Sequence, residues 1–284
     1  MTPIVALLYD FDKTLCTTDM EDYAFIPALG YTPAEFWKKA NDFGRENRMD
    51  GLLAYMYTMI AECRAQNIRL DREFLVRCGH SLELFPGVAE WFGRINAFGR
   101  SQGVQVEHYV ISSGLREIIE GTAIAKDFTH IYASSFYYNE HGEPCWPAQA
   151  INYTNKTQVL FRIEKGILDI NDNAVNDHFA EGELRVPFRN IVYIGDSATD
   201  IPCMRLVNSL GGHSVGVYDL ENTASKDTVR RMIRDERIRY YVPADYTKGS
   251  EMDTLMHRII DKTAAYEVLE EKHLRDRKEA VAKY

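Results

Sequence analysis

The sequence predicts an α/β protein: a parallel-sheet core with a helical segment inserted after the first strand. Three apolar runs of strand length each empty into a polar turn rich in Asp, Ser or Gly, the pattern of buried parallel strands ending at one sheet edge. Between residue 14 and about residue 84 no convincing strand is found, and the apolar spacing is helical throughout.

The first run is Ile4-Val5-Ala6-Leu7-Leu8-Tyr9, followed by Asp10-Phe11-Asp12-Lys13-Thr14. Side chains alternate along a strand, but once the chain leaves the sheet Asp10 and Asp12 can converge on one pocket. Buried carboxylates are costly unless paired, so this pair points to a cation or to chemistry. Helical patterns then cover residues 20–29, 33–45, 49–66 and 71–78. Thr32-Pro33-Ala34-Glu35 supplies a capping threonine, a proline in the first turn and an early acid. The insert is expected to hinge near Cys16–Thr18 and near Phe85-Pro86-Gly87.

The core resumes with a helix over residues 88–98 and the second run, His108-Tyr109-Val110-Ile111, which empties into Ser112-Ser113-Gly114. Residues 131–138 and 143–151 read as a hairpin around Asn139-Glu140-His141-Gly142. In it, Phe136-Tyr137-Tyr138 reads as strand core. A helix opens at Asn155-Lys156-Thr157, with Val159, Leu160, Ile163 and Leu168 on one side. A lysine at a helix start opposes the dipole unless it serves a site, so Lys156 is preferred over its rival Lys165. Residues 169–178 resemble a metal loop in composition but lack its glycine and terminal glutamate, and read as a polar surface loop. The third run, Asn190-Ile191-Val192-Tyr193-Ile194, leads into Gly195-Asp196-Ser197-Ala198-Thr199-Asp200. Strands at 213–218 and 238–242 flank a helix at 222–233, and the chain ends helically from residue 249, densely charged over 267–283.

Parallel strands bring their carboxyl ends to the edge where open α/β folds bind ligands, which gathers Asp10, Asp12, Ser112, Asp196 and Asp200. Acidic oxygens with hydroxyl and backbone donors suit a hard divalent cation, magnesium above all, together with a phosphate group.

Asp10-Phe11-Asp12-Lys13-Thr14, Ser112, Lys156 and Gly195-Asp196-x-x-x-Asp200 resemble, in order and setting, the four motifs of the haloacid dehalogenase superfamily, and within it the phosphoserine phosphatase-like phosphatases. The resemblance spans residue 4 to about residue 200. It implies a Rossmann-like parallel-sheet core over residues 1–16 and 85–284 and an inserted helical cap over 17–84. It implies Asp10 as nucleophile, Asp12 as general acid and then base, and Ser112 and Lys156 as phosphate-binding groups. Magnesium is expected on Asp10, Asp12 through its carbonyl, and Asp196; Thr14, Gly114 and Asp200 support the site, Asp200 by orienting Lys156 or a metal-bound water. The aspartate two residues after the nucleophile suits phosphate esters and argues against dehalogenases and transport ATPases. The implied activity is hydrolysis of a small phosphorylated metabolite through an aspartyl-phosphate. A phosphotransferase or mutase and a non-catalytic phosphate-binding regulator remain as alternatives.

Composition narrows the partners. With 284 residues, 45% of them hydrophobic, the chain has material for a full core and an insertion. A net charge of −9 disfavours nucleic-acid binding, and no apolar stretch nears the roughly 18 residues that cross a bilayer. No secretory signal is visible. Cys16, Cys63, Cys78, Cys145 and Cys203 lack paired spacing and read as reduced cytoplasmic thiols, Cys16 as packing. In the insert, Glu21, Tyr23, Arg45, Arg48 and Tyr55 are candidates for reading the leaving group. The sequence leaves the oligomeric state open.

Overall fold

The structure, a computed structural model, describes residues 2–281; residue 1 and residues 282–284, including the end of the expected charged tail, lie outside the described residues. β1 (Ile4–Tyr9) is the centre of a seven-stranded sheet. The remaining strands are β2 (Gln105–Leu115), β3 (His130–Tyr138), β4 (Pro144–Gln149), β5 (Ile191–Gly195), β6 (His213–Tyr218) and β7 (Tyr240–Pro243). Their order is β4-β3-β2-β1-β5-β6-β7, all parallel except the antiparallel β3–β4 hairpin. Val5, Leu7 and Tyr9 of β1 enter one apolar cluster, Ala6 and Leu8 the other, so the sheet is covered on both faces.

Between β1 and β2 lie the helices α1 (Phe25–Ala28), α2 (Pro33–Glu46), α3 (Gly51–Ala65) and α4 (Arg72–Gly79), followed by α5 (Val88–Ser101). The single helix expected over residues 20–29 is broken into a 3-10 turn, Met20–Asp22, and the short α1. Pro27 has no N–H to give the carbonyl of Tyr23 four residues back, and the Met20 N–H, unpartnered at the start of its turn, goes to Asp12 Oδ1 at 2.9 Å. α2 starts as its sequence suggests: Thr32 and Glu35 form a reciprocal capping box. Asp50 and Asp71 cap α3 and α4. α2 and α3 pack together, and α4 packs on α6 (Arg116–Glu120), the helix that follows β2. The two chain segments joining these helices to the sheet pair with each other. Thr17 N donates to Glu83 O at 3.0 Å and Phe85 N to Leu15 O at 3.0 Å.

Beyond the hairpin come α7 (Asn155–Lys165), α8 (Ile201–Ser209), α9 (Thr223–Arg234) and α10 (Glu251–Val281). The polar stretch at 169–178 is wrapped around two cations of the protein itself. The carbonyls of Asp169, Ile170 and Asp172 accept from Arg162, and those of Val175 and Asp177 accept from Lys165. Lys165 is thereby occupied far from the carboxylate cluster. In the hairpin Phe136 is core, as expected, but Tyr137 points to solvent, because alternation turns every second residue outward. The five cysteines are free thiols. Among the described residues no helix is long and apolar enough to cross a membrane.

Candidate active site

The site forms where β1, β2 and β5 end. Asp10 N donates to Ile194 O at 2.8 Å, which extends the β1–β5 ladder one residue and sets Asp10 beside Gly195 and Asp196. Asp10, Asp196 and Asp200 then offer carboxylate oxygens within 4.8 Å of one another. Gly195 has to be glycine, because a Cβ there would meet Asp200 Oδ2 at 2.5 Å.

Lys156 reaches this cluster from the first turn of α7. It is completely buried, and its ammonium donates to Asp200 Oδ1 at 2.9 Å and Asp10 Oδ1 at 3.2 Å. Burial alone would drive off its proton, but the charges of Asp10 and Asp200 outweigh that and hold it above the ordinary lysine range. Three carboxylates still face one ammonium. Burial, and then the charge of Asp200, pushes Asp10 upward despite Lys156. Burial, Asp10 and Asp200 push Asp196 up in the same way. A hard divalent cation would relieve this excess of negative charge, and the all-oxygen donor set fits magnesium.

Asp12 turns away from this cluster toward the helical insert, where its Oδ1 accepts from Met20 N. Its pKa is raised well above the ordinary carboxylate value by burial first, then by Glu21, Asp19 and Asp10. The turn between the two aspartates puts Lys13 in the left-handed region at φ 54°, with its ammonium on Asp19 at 2.5 Å. Gly114 lets β2 pass close to this turn: a Cβ there would lie 2.1 Å from Met20 Cε and 2.9 Å from Asp12 Oδ2. Thr14 is buried, and its carbonyl accepts from Tyr246 Oη at 2.8 Å.

A cavity of about 380 Å³ opens over these groups. From the sheet edge it is lined by Asp10, Asp12, Lys13, Ser113 and Asp196. The helical insert adds Asp19, Asp50, Leu52 and Tyr55, and the loop before α7 adds Asn152 and Tyr153. A larger cavity of about 580 Å³ lies between β7 and α10 and shares no lining residue with this one.

Ser112 is buried and absent from the lining, its Oγ accepting from Gly114 N at 3.0 Å, whereas the neighbouring Ser113 belongs to the lining and its own Oγ is buried without a hydrogen-bond partner among the described residues. Sequence reasoning singled out Ser112 because it follows the apolar run directly; the next hydroxyl carried an equal signal. Of the five suspects in the insert, only Tyr55 reaches the cavity, with its hydroxyl donating to Ser113 O at 3.2 Å. Arg45 pairs with Asp42 on the outer side of α2, and Arg48 is exposed and absent from the lining. The Tyr23 hydroxyl binds Thr17 and Thr18 at the chain crossing. Glu21 is buried near enough for its charge to act on Asp12, and its Oε1 has no hydrogen-bond partner among the described residues. Asn152 and Tyr153 carried no signal in the sequence, since a loop's approach to a distant sheet edge leaves no local pattern. Cys16 is packed in the core, where burial first, then Asp12, holds its thiol well above the usual range.

Residues 7–205 match the family described as haloacid dehalogenase-like hydrolase. An "Uncharacterized protein" of Borreliella burgdorferi is 24% identical over 275 residues, covering 88% of this chain and 94% of the relative. A solved HAD family hydrolase from Salmonella enterica serovar Typhi superposes with a TM-score of 0.57 at 15% identity, over 91% of this chain and 72% of its own. A solved phosphoserine phosphohydrolase-like protein from Francisella tularensis gives a TM-score of 0.50 at 17% identity, over 85% of this chain and 95% of its own. At these identities the solved structures share a fold with this chain.

Proposed function

The chain belongs to the haloacid dehalogenase-like hydrolase family, and from that premise we propose that it is a magnesium-dependent phosphatase of small phosphorylated metabolites. The observation that carries this reading is Lys156, fully buried and shared between Asp10 and Asp200 beside Asp196, with Asp12 turned toward the helical insert and lining the same cavity as Asp10. A binding protein has no need of a carboxylate pair, Asp10 and Asp12, that can serve as nucleophile and acid in one cavity.

In this reading an Asp10 carboxylate oxygen attacks phosphorus, an O–P bond to Asp10 forms, and the ester O–P bond breaks. Asp12, whose surroundings favour its protonated form, gives its proton to the departing alkoxide. Asp12 then takes a proton from water as that water attacks phosphorus, the Asp10–phosphorus bond breaks, and inorganic phosphate leaves. Lys156 balances charge on Asp10 and on the phosphoryl oxygens. Ser112, at the end of β2, would donate its hydroxyl to a phosphoryl oxygen. Asp10, the Asp12 carbonyl and Asp196 would hold magnesium, whose chemistry is to stabilise negative charge on the transferring phosphoryl group. Thr14 and Gly114 keep the turn in shape, and Asp200 orients Lys156.

Residues 17–84 would act as a cap over the core. Tyr55, Leu52 and Asp50 form the cavity's outer wall, and its volume of about 380 Å³ suits a metabolite rather than a protein loop. The five free cysteines favour a reducing, cytoplasmic setting. The test is a panel of phosphorylated amino acids, sugars, amines and nucleotides, assayed for phosphate release with magnesium and after chelation. Phosphate release from at least one small ester, abolished by chelator, is expected. Magnesium-independent turnover, or efficient hydrolysis of a folded phosphoprotein, would overturn the reading.

A further inference from the structure

Tyr193 stands on β5, opposite Leu8 of β1, and points to the sheet face on which α7 and α8 pack. Its ring and hydroxyl are completely buried, and the hydroxyl donates to Asp200 Oδ1 at 2.8 Å. A phenylalanine would fill this apolar position without the cost of a buried hydroxyl, so the hydroxyl calls for an explanation. Asp200 provides one. Its Oδ2 is held from the loop side by Ser197 N at 3.3 Å and Ser197 Oγ at 3.2 Å, while its Oδ1 receives both Tyr193 Oη and Lys156 Nζ. Asp200 and Lys156 are wholly buried, so no solvent stands ready to replace a lost donor.

We infer that Tyr193 is a positioning residue: it fixes Asp200 Oδ1 so that the Lys156 ammonium stays within reach of Asp10. The inference rests on the phosphatase reading above for its kinetic consequence but on geometry alone for its coupling to Asp200. Without the tyrosine hydroxyl, Lys156 is the only donor on Oδ1 among the described residues. Asp200 is then free to rotate about its side chain and carry the ammonium away from the attacking carboxylate. The Cys203 thiol also faces the Tyr193 hydroxyl, but a thiol is a weak partner, and burial first keeps it at about 12 and therefore protonated.

The test is a double-mutant cycle of Tyr193→Phe, Asp200→Asn and the double variant in the full-length protein. Turnover of an aryl phosphate and the unfolding equilibrium are both measured. Tyr193→Phe is expected to lower kcat about tenfold, the scale of a hydrogen bond to a charged group, with KM unchanged. The double variant should be no slower than Asp200→Asn alone, and the unfolding constants should show coupling on the order of tenfold. Wild-type kcat in a folded Tyr193→Phe protein, or losses that multiply in the double variant, would overturn the inference. If the wild-type protein turned over no phosphomonoester, the phosphatase reading would fail by itself. The unfolding cycle would still decide whether Tyr193 acts through Asp200, and additive stability losses would refute it.

Discussion

Replacing Lys156 by Met keeps the side-chain length and removes the charge. Lys156 is completely buried and, among the described residues, is the one ammonium hydrogen-bonded to Asp10 and Asp200. Removing one partner of a buried ion pair leaves a charge in a low-dielectric site and costs about 3–5 kcal/mol. Two carboxylates are stranded here, so the upper half of that range is expected in metal-free protein. At about 2–4 °C per kcal/mol for a chain of this size, the melting temperature should fall by roughly 10 °C or more. Magnesium should recover part of this loss, since a cation bound among the same carboxylates stabilises the folded state by about 2.7 kcal/mol at a hundred times its Kd. Urea unfolding of both proteins, with chelator and with saturating magnesium, measures all four states. A metal-free Lys156→Met protein within about 1 kcal/mol of wild type would show that the lysine does not neutralise the cluster.

Further outcomes follow from other parts of the structure. In Asp12→Asn, esters with poor leaving groups should lose more activity than an activated aryl phosphate while formation of the aspartyl-phosphate limits the rate; an equal loss on both would count against Asp12 as the acid. Gly114→Ala, whose new methyl would press on Met20 and Asp12, should lower kcat with little change in stability if Met20 yields, or destabilise the fold if it does not; unchanged kcat and stability together would refute the close approach. Calcium, which takes 6–8 oxygens at about 2.3–2.6 Å, should compete with magnesium without supporting turnover, and full activity in calcium alone would contradict the octahedral site. His108 gives a pH effect outside the site. Tyr9 Oη and Asn96 Oδ1 hold its two ring nitrogens at 3.0 Å each, and burial lowers its pKa from 6.5 to about 3. The unfolded chain takes up that proton near pH 6.5 and the folded chain does not, so stability contributed by His108 is intact above this pH. It is lost at up to about 1.4 kcal/mol per pH unit as the pH falls toward 3. A His108→Asn protein should show a shallower acid limb in urea unfolding, and an identical limb would refute the buried neutral ring.

What the sequence made legible was local. The three strand ends announce themselves because an apolar run that stops at Asp10, Ser112 or Asp196 changes polarity within two residues. Lys156 was legible for the converse reason, a cation where the helix dipole disfavours one. The break between the turn Met20–Asp22 and α1 was readable from Pro27, which has no N–H for the carbonyl of Tyr23, but the hydrogen bond from Met20 N to Asp12 was not, because it joins the insert to the end of β1. Tyr193 looked like one more apolar strand residue, and only the packing of α7 and α8 shows its hydroxyl on Asp200. The same holds for the chain Trp91–Tyr9–His108–Asn96, whose members come from α5, β1 and β2, distant in sequence, and meet on one face of the sheet. The polar loop at 169–178 was legible as a loop but not as a wrapping for Arg162 and Lys165, because backbone carbonyls leave no trace in composition.

The central claim is that Asp10 carries the phosphoryl group during turnover. Acid-quenching the wild-type protein during turnover of an aryl phosphate with magnesium, followed by peptide mass spectrometry, tests it directly. A phosphoryl group is expected on the peptide containing Asp10. A folded Asp10→Asn protein should lack this group and release phosphate several orders of magnitude more slowly. An Asp10→Asn protein that keeps its fold and releases phosphate at the wild-type rate would contradict it.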